Sequence, residues 1–133
     1  MKVKRQIKYV IDLDGTLAYW ESGDNDLTQI GDPLPGAVEF VNNLAKDGSR
    51  ITIFTRRMSE DIFDNEQQKQ QMLKLITSWL DKHGFIWHNV FDGQGKPDGT
   101  CFIDDRGVAC RPQDNPNAYS EALEYIQKKI LKR

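Results

Sequence analysis

Ile7-Lys8-Tyr9-Val10-Ile11-Asp12-Leu13-Asp14-Gly15-Thr16 decides the fold. A short apolar, β-branched run stops at two carboxylates and a glycine, so it reads as a buried strand ending at Asp12 or Leu13. Taken alone, the Asp-x-Asp-Gly string is a strand end followed by an Asx-turn, with Gly15 supplying a positive φ. A second stretch has the same form: Gly99-Thr100-Cys101-Phe102-Ile103 runs straight into Asp104-Asp105. If these two strands are neighbours, up to four carboxylates crowd one crevice. Two unit charges about 4 Å apart repel by roughly 4 kcal/mol at an effective dielectric near 20. A turn has no structural reason to carry that cost, and a hard cation with oxygen ligands and retained waters relieves it.

Working outward, residues 14–35 are rich in Gly, Asp, Asn and Pro and suit an ordered loop or a small flap. Apolar residues at helical spacing follow from Pro35 to Lys46, closed by Asp47-Gly48. Arg50-Ile51-Thr52-Ile53-Phe54-Thr55 is a second strand. A long amphipathic helix is expected from Asn65 to His83, stopped by Gly84. Phe85 to Phe91 reads as a third strand and Gly99 to Asp104 as a fourth. Asn115-Pro116 reads as the start of a last helix running towards Leu131. Strands alternating with helices at this spacing predict an α/β fold, a Rossmann-like parallel sheet with helices on both faces. Ligands gather beyond the carboxyl ends of such strands, where Asp12, Thr55, Asp104 and Asp105 fall, with Lys96 in the loop entering the fourth strand.

A chain of 133 residues is the length of one domain, so residues 1–133 are read as a single unit. Eighteen Lys and Arg against twenty Asp and Glu give a net charge of −2. That balance removes the case for broad nucleic-acid binding and leaves only a local basic patch for such a role. Cys101 and Cys110 have no metal-binding spacing and read as reduced thiols. The basic start is followed by no apolar signal-peptide core, and no apolar run is long enough to span a bilayer. The expectation is a cytoplasmic protein with no membrane partner.

Asp12-Leu13-Asp14-Gly15-Thr16, Ile51-Thr52-Ile53-Phe54-Thr55, Gly95-Lys96-Pro97 and Phe102-Ile103-Asp104-Asp105 resemble, in order, the four motifs of the haloacid dehalogenase (HAD) superfamily of phosphohydrolases. The string from Gly95 to Arg106 is similar to the small, capless members. The resemblance implies Mg²⁺-dependent hydrolysis of a phosphate monoester through an aspartyl-phosphate. Asp12 would be the nucleophile and Asp14 the general acid and base. Thr55 and Lys96 would hold the transferring phosphoryl group. Mg²⁺ would bind Asp12, the backbone carbonyl of Asp14, and Asp104, with Asp105 ligating directly or through water. Sugar phosphates, nucleotides and phosphorylated polymer ends are all candidate substrates.

No separate cap domain fits between the motifs, which leave room only for a flap over residues 18–33. Tyr19 and Trp20 in that flap are candidate substrate contacts or packing residues. Arg56, Arg57 and Arg106 are candidates to grip a second anionic group. His83 and His88 read as structural. The rivals are a phosphoacceptor signalling domain and a non-catalytic binding module. A receiver domain places its acidic pair after the first strand and its phosphorylated Asp later, the reverse of the order here. No Gly-x-Gly-x-x-Gly follows the first strand, and Pro97 stands where a P-loop needs Ser or Thr.

Overall fold

A computed structural model describes residues 6–20 and 26–133. Its core is a four-stranded, all-parallel sheet built from β1 (Lys8–Ile11), β2 (Arg50–Ile53), β3 (Asn89–Val90) and β4 (Cys101–Ile103), in the order β3-β2-β1-β4. Helices α1 (Ala37–Ala45), α2 (Glu66–Lys82) and α3 (Ala118–Tyr125) flank it. The α/β architecture read from the sequence is the one found, and no separate cap domain stands between the strands among the described residues. No helix of the described residues is long and apolar enough to cross a membrane.

The chain steps from β1 to β2 to β3 in one direction, and right-handed crossovers then place α1 and α2 on one face of the sheet. Register confirms which side chains meet them. Tyr9 pairs with Ile51 and Ile11 with Ile53, so these residues share a face. Ile11, Ile51 and Ile53 enter one core with Val41 of α1 and Met72, Ile76, Trp79 and Leu80 of α2. Each fully buried Ile or Leu there contributes about 1.5–3 kcal/mol. The opposite face carries Val10, Thr52 and Phe102, which register places side by side and which lie outside that core.

Local chemistry fixes the ends of α2. Asn65 accepts the Gln68 amide at 2.9 Å, and the Gln68 side chain accepts the Asp64 amide at 2.8 Å, a close variant of the capping box. At the other end Gly84, at φ +80°, lets Phe85 N–H reach back to Leu80 C=O at 3.0 Å, a Schellman closure.

That closure shortens the expected third strand. Phe85 N–H is spent on α2 and Ile86 N–H on the Asn42 side chain at 2.8 Å, so laddering starts only at His88. His88 is structural, its Nδ1 accepting the Ile51 amide at 2.9 Å. The last helix also differs from its expectation. Asn115 accepts the Asn117 amide in a local turn, α3 begins three residues later at Ala118, and the chain widens into a π turn over Ile126–Ile130.

Candidate functional site

Strand β4 lies on the opposite side of β1 from β2, so the gap between β1 and β4 is the topological switch point of the sheet. Sheets of this type bind ligands in that crevice. Asp12 leaves β1 there, with its N–H donating to Ile103 C=O at 3.0 Å, and Asp104-Asp105 leave β4 beside it.

Asp12 Oδ1 accepts the Leu13 amide at 2.8 Å. The Thr16 hydroxyl lies 3.4 Å from Asp12 Oδ2 and 3.5 Å from Asp105 Oδ1, tying the two carboxyl groups together. Burial pushes the Asp12 carboxyl up to about 6 against the lowering pull of the Leu13 amide, and the hydrogen-bonded Asp105 and the charge of Asp14 add to the rise. Gly15 is needed for this approach: at φ +83° it passes under Asp105, and a Cβ there would stand 2.5 Å from Asp105 Oδ2.

The other acids are used differently. Asp104 Oδ1 accepts the backbone N–H groups of Arg106, at 2.9 Å, and Gly107, so it shapes the loop after β4 while lining the cleft beside Asp12. Asp14 is gripped bidentately by Arg57, with Nε–Oδ2 at 2.7 Å and Nη2–Oδ1 at 3.1 Å. Arg57 is only 2% exposed. Its remaining donors reach Leu27 C=O at 3.0 Å and Gln29 C=O at 2.8 Å, and its guanidinium lies 5.9 Å from the Trp20 ring centre. Arg57 is therefore occupied in holding Asp14 and the returning loop, rather than free to grip a substrate. Thr55 is buried, and its Oγ1 accepts the Arg57 amide at 3.2 Å, which leaves its O–H to donate.

Among the described residues no three His, Cys, Asp or Glu side chains stand ready as a metal-holding group. The donors present nonetheless suit Mg²⁺: the carboxylates of Asp12 and Asp105 are in contact, and a hydroxyl oxygen bridges them. Hard oxygen donors at modest number are what this ion prefers. Burial first, and then Asp105 and Asp14, disfavour the charged form of Asp12, and a bound cation would relieve that cost. With both carboxylate oxygens of Asp14 on Arg57, its backbone carbonyl is the atom left to serve a metal.

Asp12, Thr55, Arg56 and Arg106 line two adjoining clefts of ≈ 730 and ≈ 440 Å³. Asp14, Trp20 and Arg57 line the smaller one. Lys96 is not brought against Asp12. It is exposed, with its ammonium 4.5 Å above the Phe102 ring, which forms part of the larger cleft's wall. Tyr19 is 54% exposed. The flap residues 21–25 lie outside the described residues; its ends are pinned by the Ala18–Pro33 bridge and by Trp79 Nε1 donating to Gly31 C=O at 3.0 Å. The sequence reading gave no role to Thr16 or to the cleft phenylalanines, although an aromatic residue directly beyond a strand end was a visible sign.

Neither a family model nor a curated protein matches the chain. It is similar in structure to a conserved protein from Bacteroides thetaiotaomicron, with a TM-score of 0.54 and 22% identity over 94% of this chain and 93% of that one. It is also similar to a target protein from Vibrio cholerae, with a TM-score of 0.52 and 28% identity over 90% of this chain and 98% of that one. These likenesses speak for the fold alone, a parallel-sheet α/β protein.

Proposed function

We propose that this chain is a Mg²⁺-dependent phosphohydrolase that cleaves phosphate monoesters through Asp12. The observation that carries the reading is the half-buried Asp12 held against Asp105 at the switch point, with the buried Thr55 hydroxyl at the neighbouring strand end. Asp12 attacks phosphorus, the P–O bond to the alcohol breaks, and Asp14 gives the departing oxygen its proton. Water then attacks the aspartyl-phosphate, Asp14 takes its proton, and inorganic phosphate leaves. Arg57 fixes where Asp14 points. Its two bonds, 2.7 Å to Oδ2 and 3.1 Å to Oδ1, hold both carboxylate oxygens, so the reading requires Arg57 to yield one of them when Asp14 takes the proton. Asp12, Asp105 and the Asp14 carbonyl would hold Mg²⁺, with Asp104 as a further candidate. Bound there, the ion would supply charge neutralisation for the transferring phosphoryl group.

The test is phosphate release from a panel of phosphate monoesters, with Mg²⁺ and with chelator. Steady turnover that stops on chelation is expected. One stored phosphoryl group per chain, without turnover, would instead assign a phosphoacceptor domain.

Asp14→Asn is expected to harm alkyl phosphates more than aryl phosphates, because a good leaving group needs less protonation. Equal losses across leaving groups of different pKa would remove Asp14 from the acid role. For the metal, Asp105→Asn is expected to shrink the Mg²⁺-dependent rise in melting temperature, since a ligand stabilises only through its affinity for the folded state. It should leave the metal-free protein as stable or more so, because it relieves the contact with Asp12. An unchanged Mg²⁺ increment with normal turnover would show that Asp105 is no ligand.

A further inference from the structure

Phosphoryl transfer does not need the wall that the larger cleft has. Phe54 and Phe91 directly follow β2 and β3 and continue their ladders, through Phe54 N–H to Ile11 C=O at 2.9 Å and Phe91 N–H to Ile53 C=O at 2.8 Å. Their rings meet edge to face, 5.5 Å between centres and 86° between planes. Phe102 of β4 adds a third ring to the same cleft, and Val10 completes an apolar surface beside Asp12. The three phenylalanines lie outside the core, and Phe54 and Phe102 keep 38% and 39% of their surface exposed, while Val10 is buried. Both faces of a parallel sheet are ordinarily buried, so aromatic rings left open beside a reactive carboxylate are a surface for a ligand. Cations border this surface: Arg56 and Arg106 line the cleft, and Lys96 stands over Phe102.

We infer that the alcohol half of the ester is a nucleoside, so that the substrate is a nucleotide or the phosphorylated end of a single-stranded nucleic acid. Ser59, Glu60, Asp61 and Gln94 on the cleft's rim can meet sugar hydroxyls, but a bare sugar has no planar apolar face to lay on the three rings, and a base has one. Aromatic platforms combined with Arg and Lys along one groove are how single strands are held without base-specific contacts. The cleft volume of ≈ 730 Å³ is that of a site for a whole small molecule rather than a phosphate alone. The reaction is the proposed one: water adds to phosphorus, the P–O bond breaks, and the nucleoside hydroxyl and inorganic phosphate leave. The inference rests on the phosphohydrolase reading, yet its binding half can be tested apart from turnover.

The experiment compares adenosine 5′-monophosphate, ribose 5-phosphate and a short 5′-phosphorylated oligonucleotide. Each is used for kcat/KM with Mg²⁺ on the full chain and for equilibrium binding to Asp12→Asn. Both nucleotides are expected to bind and react about tenfold or more better than ribose 5-phosphate, the scale of one base stacked on an aromatic ring. Phe54→Leu, which keeps apolar bulk without the ring, should cost the nucleotides more than the sugar phosphate. A preference for the oligonucleotide that Arg56→Gln reduces would assign the polymer end, and equal treatment of the two nucleotides would assign the mononucleotide. Equal binding and equal rates for ribose 5-phosphate and the nucleotides would overturn the inference while leaving the phosphohydrolase standing. Base-dependent binding without phosphate release from any compound would uphold the wall's role and sink the hydrolytic reading.

Discussion

Asp12→Asn is expected to abolish phosphate release, by many orders of magnitude, while the protein still folds. An amide cannot attack phosphorus, and phosphate monoesters are among the slowest reactions uncatalysed, with enzymes reaching about 10²¹-fold. The same substitution has a second, opposite consequence for stability. In the metal-free fold the Asp12 carboxyl is raised from 3.8 to about 6. A raised carboxyl favours the protonated form in the folded state. Ionising it as pH climbs from about 4 to about 6 therefore costs stability, and the cost is complete above 6. The shift corresponds to about 3 kcal/mol before solvent screening and to about 1–2 kcal/mol after allowing for it. In chelator at pH 7, Asp12→Asn should melt higher than the unsubstituted protein, and the gap should close below about pH 4. A lower melting temperature at pH 7 would mean that Asp12 is stabilised as a carboxylate, contrary to its crowding by Asp105.

Arg57→Ala is expected to be the most destabilising single change at the site. Arg57 is 2% exposed and Asp14 17%, so removing the guanidinium leaves a carboxylate partly buried without its partner and strips donors from the Leu27 and Gln29 carbonyls. Breaking a buried pair from one side costs about 3–5 kcal/mol. Urea denaturation should show a loss in that range, with part of it recovered in the Arg57→Ala, Asp14→Ala double variant. A loss under about 1 kcal/mol would class the pair with exposed surface bridges.

The strand ends were legible because each is a local event. The apolar run into Asp12 and the run into Asp104-Asp105 need only a few residues to read. That the two strands are neighbours is only a condition in the sequence, and it is decided by the order β3-β2-β1-β4. The boundaries that were missed depend on partners far along the chain. Phe85 and Ile86 look like strand residues by composition, but α2 and Asn42 claim their amides. Arg57 shows the same limit. Its place beside Thr55 suggested a substrate contact, whereas the fold turns it onto Asp14, 43 residues earlier in the chain. The aromatic wall draws one ring each from the neighbourhoods of β2, β3 and β4, so no single stretch announces it. The resemblance gave Asp104 the direct metal role and Asp105 a direct or water-mediated one, whereas the turn after β4 sets Asp105 against Asp12 and turns Asp104 onto the Arg106 and Gly107 amides.

The most direct measurement of the central claim is acid-quenched mass spectrometry of the protein caught during turnover of a phosphate monoester with Mg²⁺. The expected result is one phosphoryl group on the peptide carrying Asp12, absent with chelator and absent in Asp12→Asn. Turnover with no phosphoryl group on that peptide at any quench time, together with phosphate release that survives in Asp12→Asn, would contradict it.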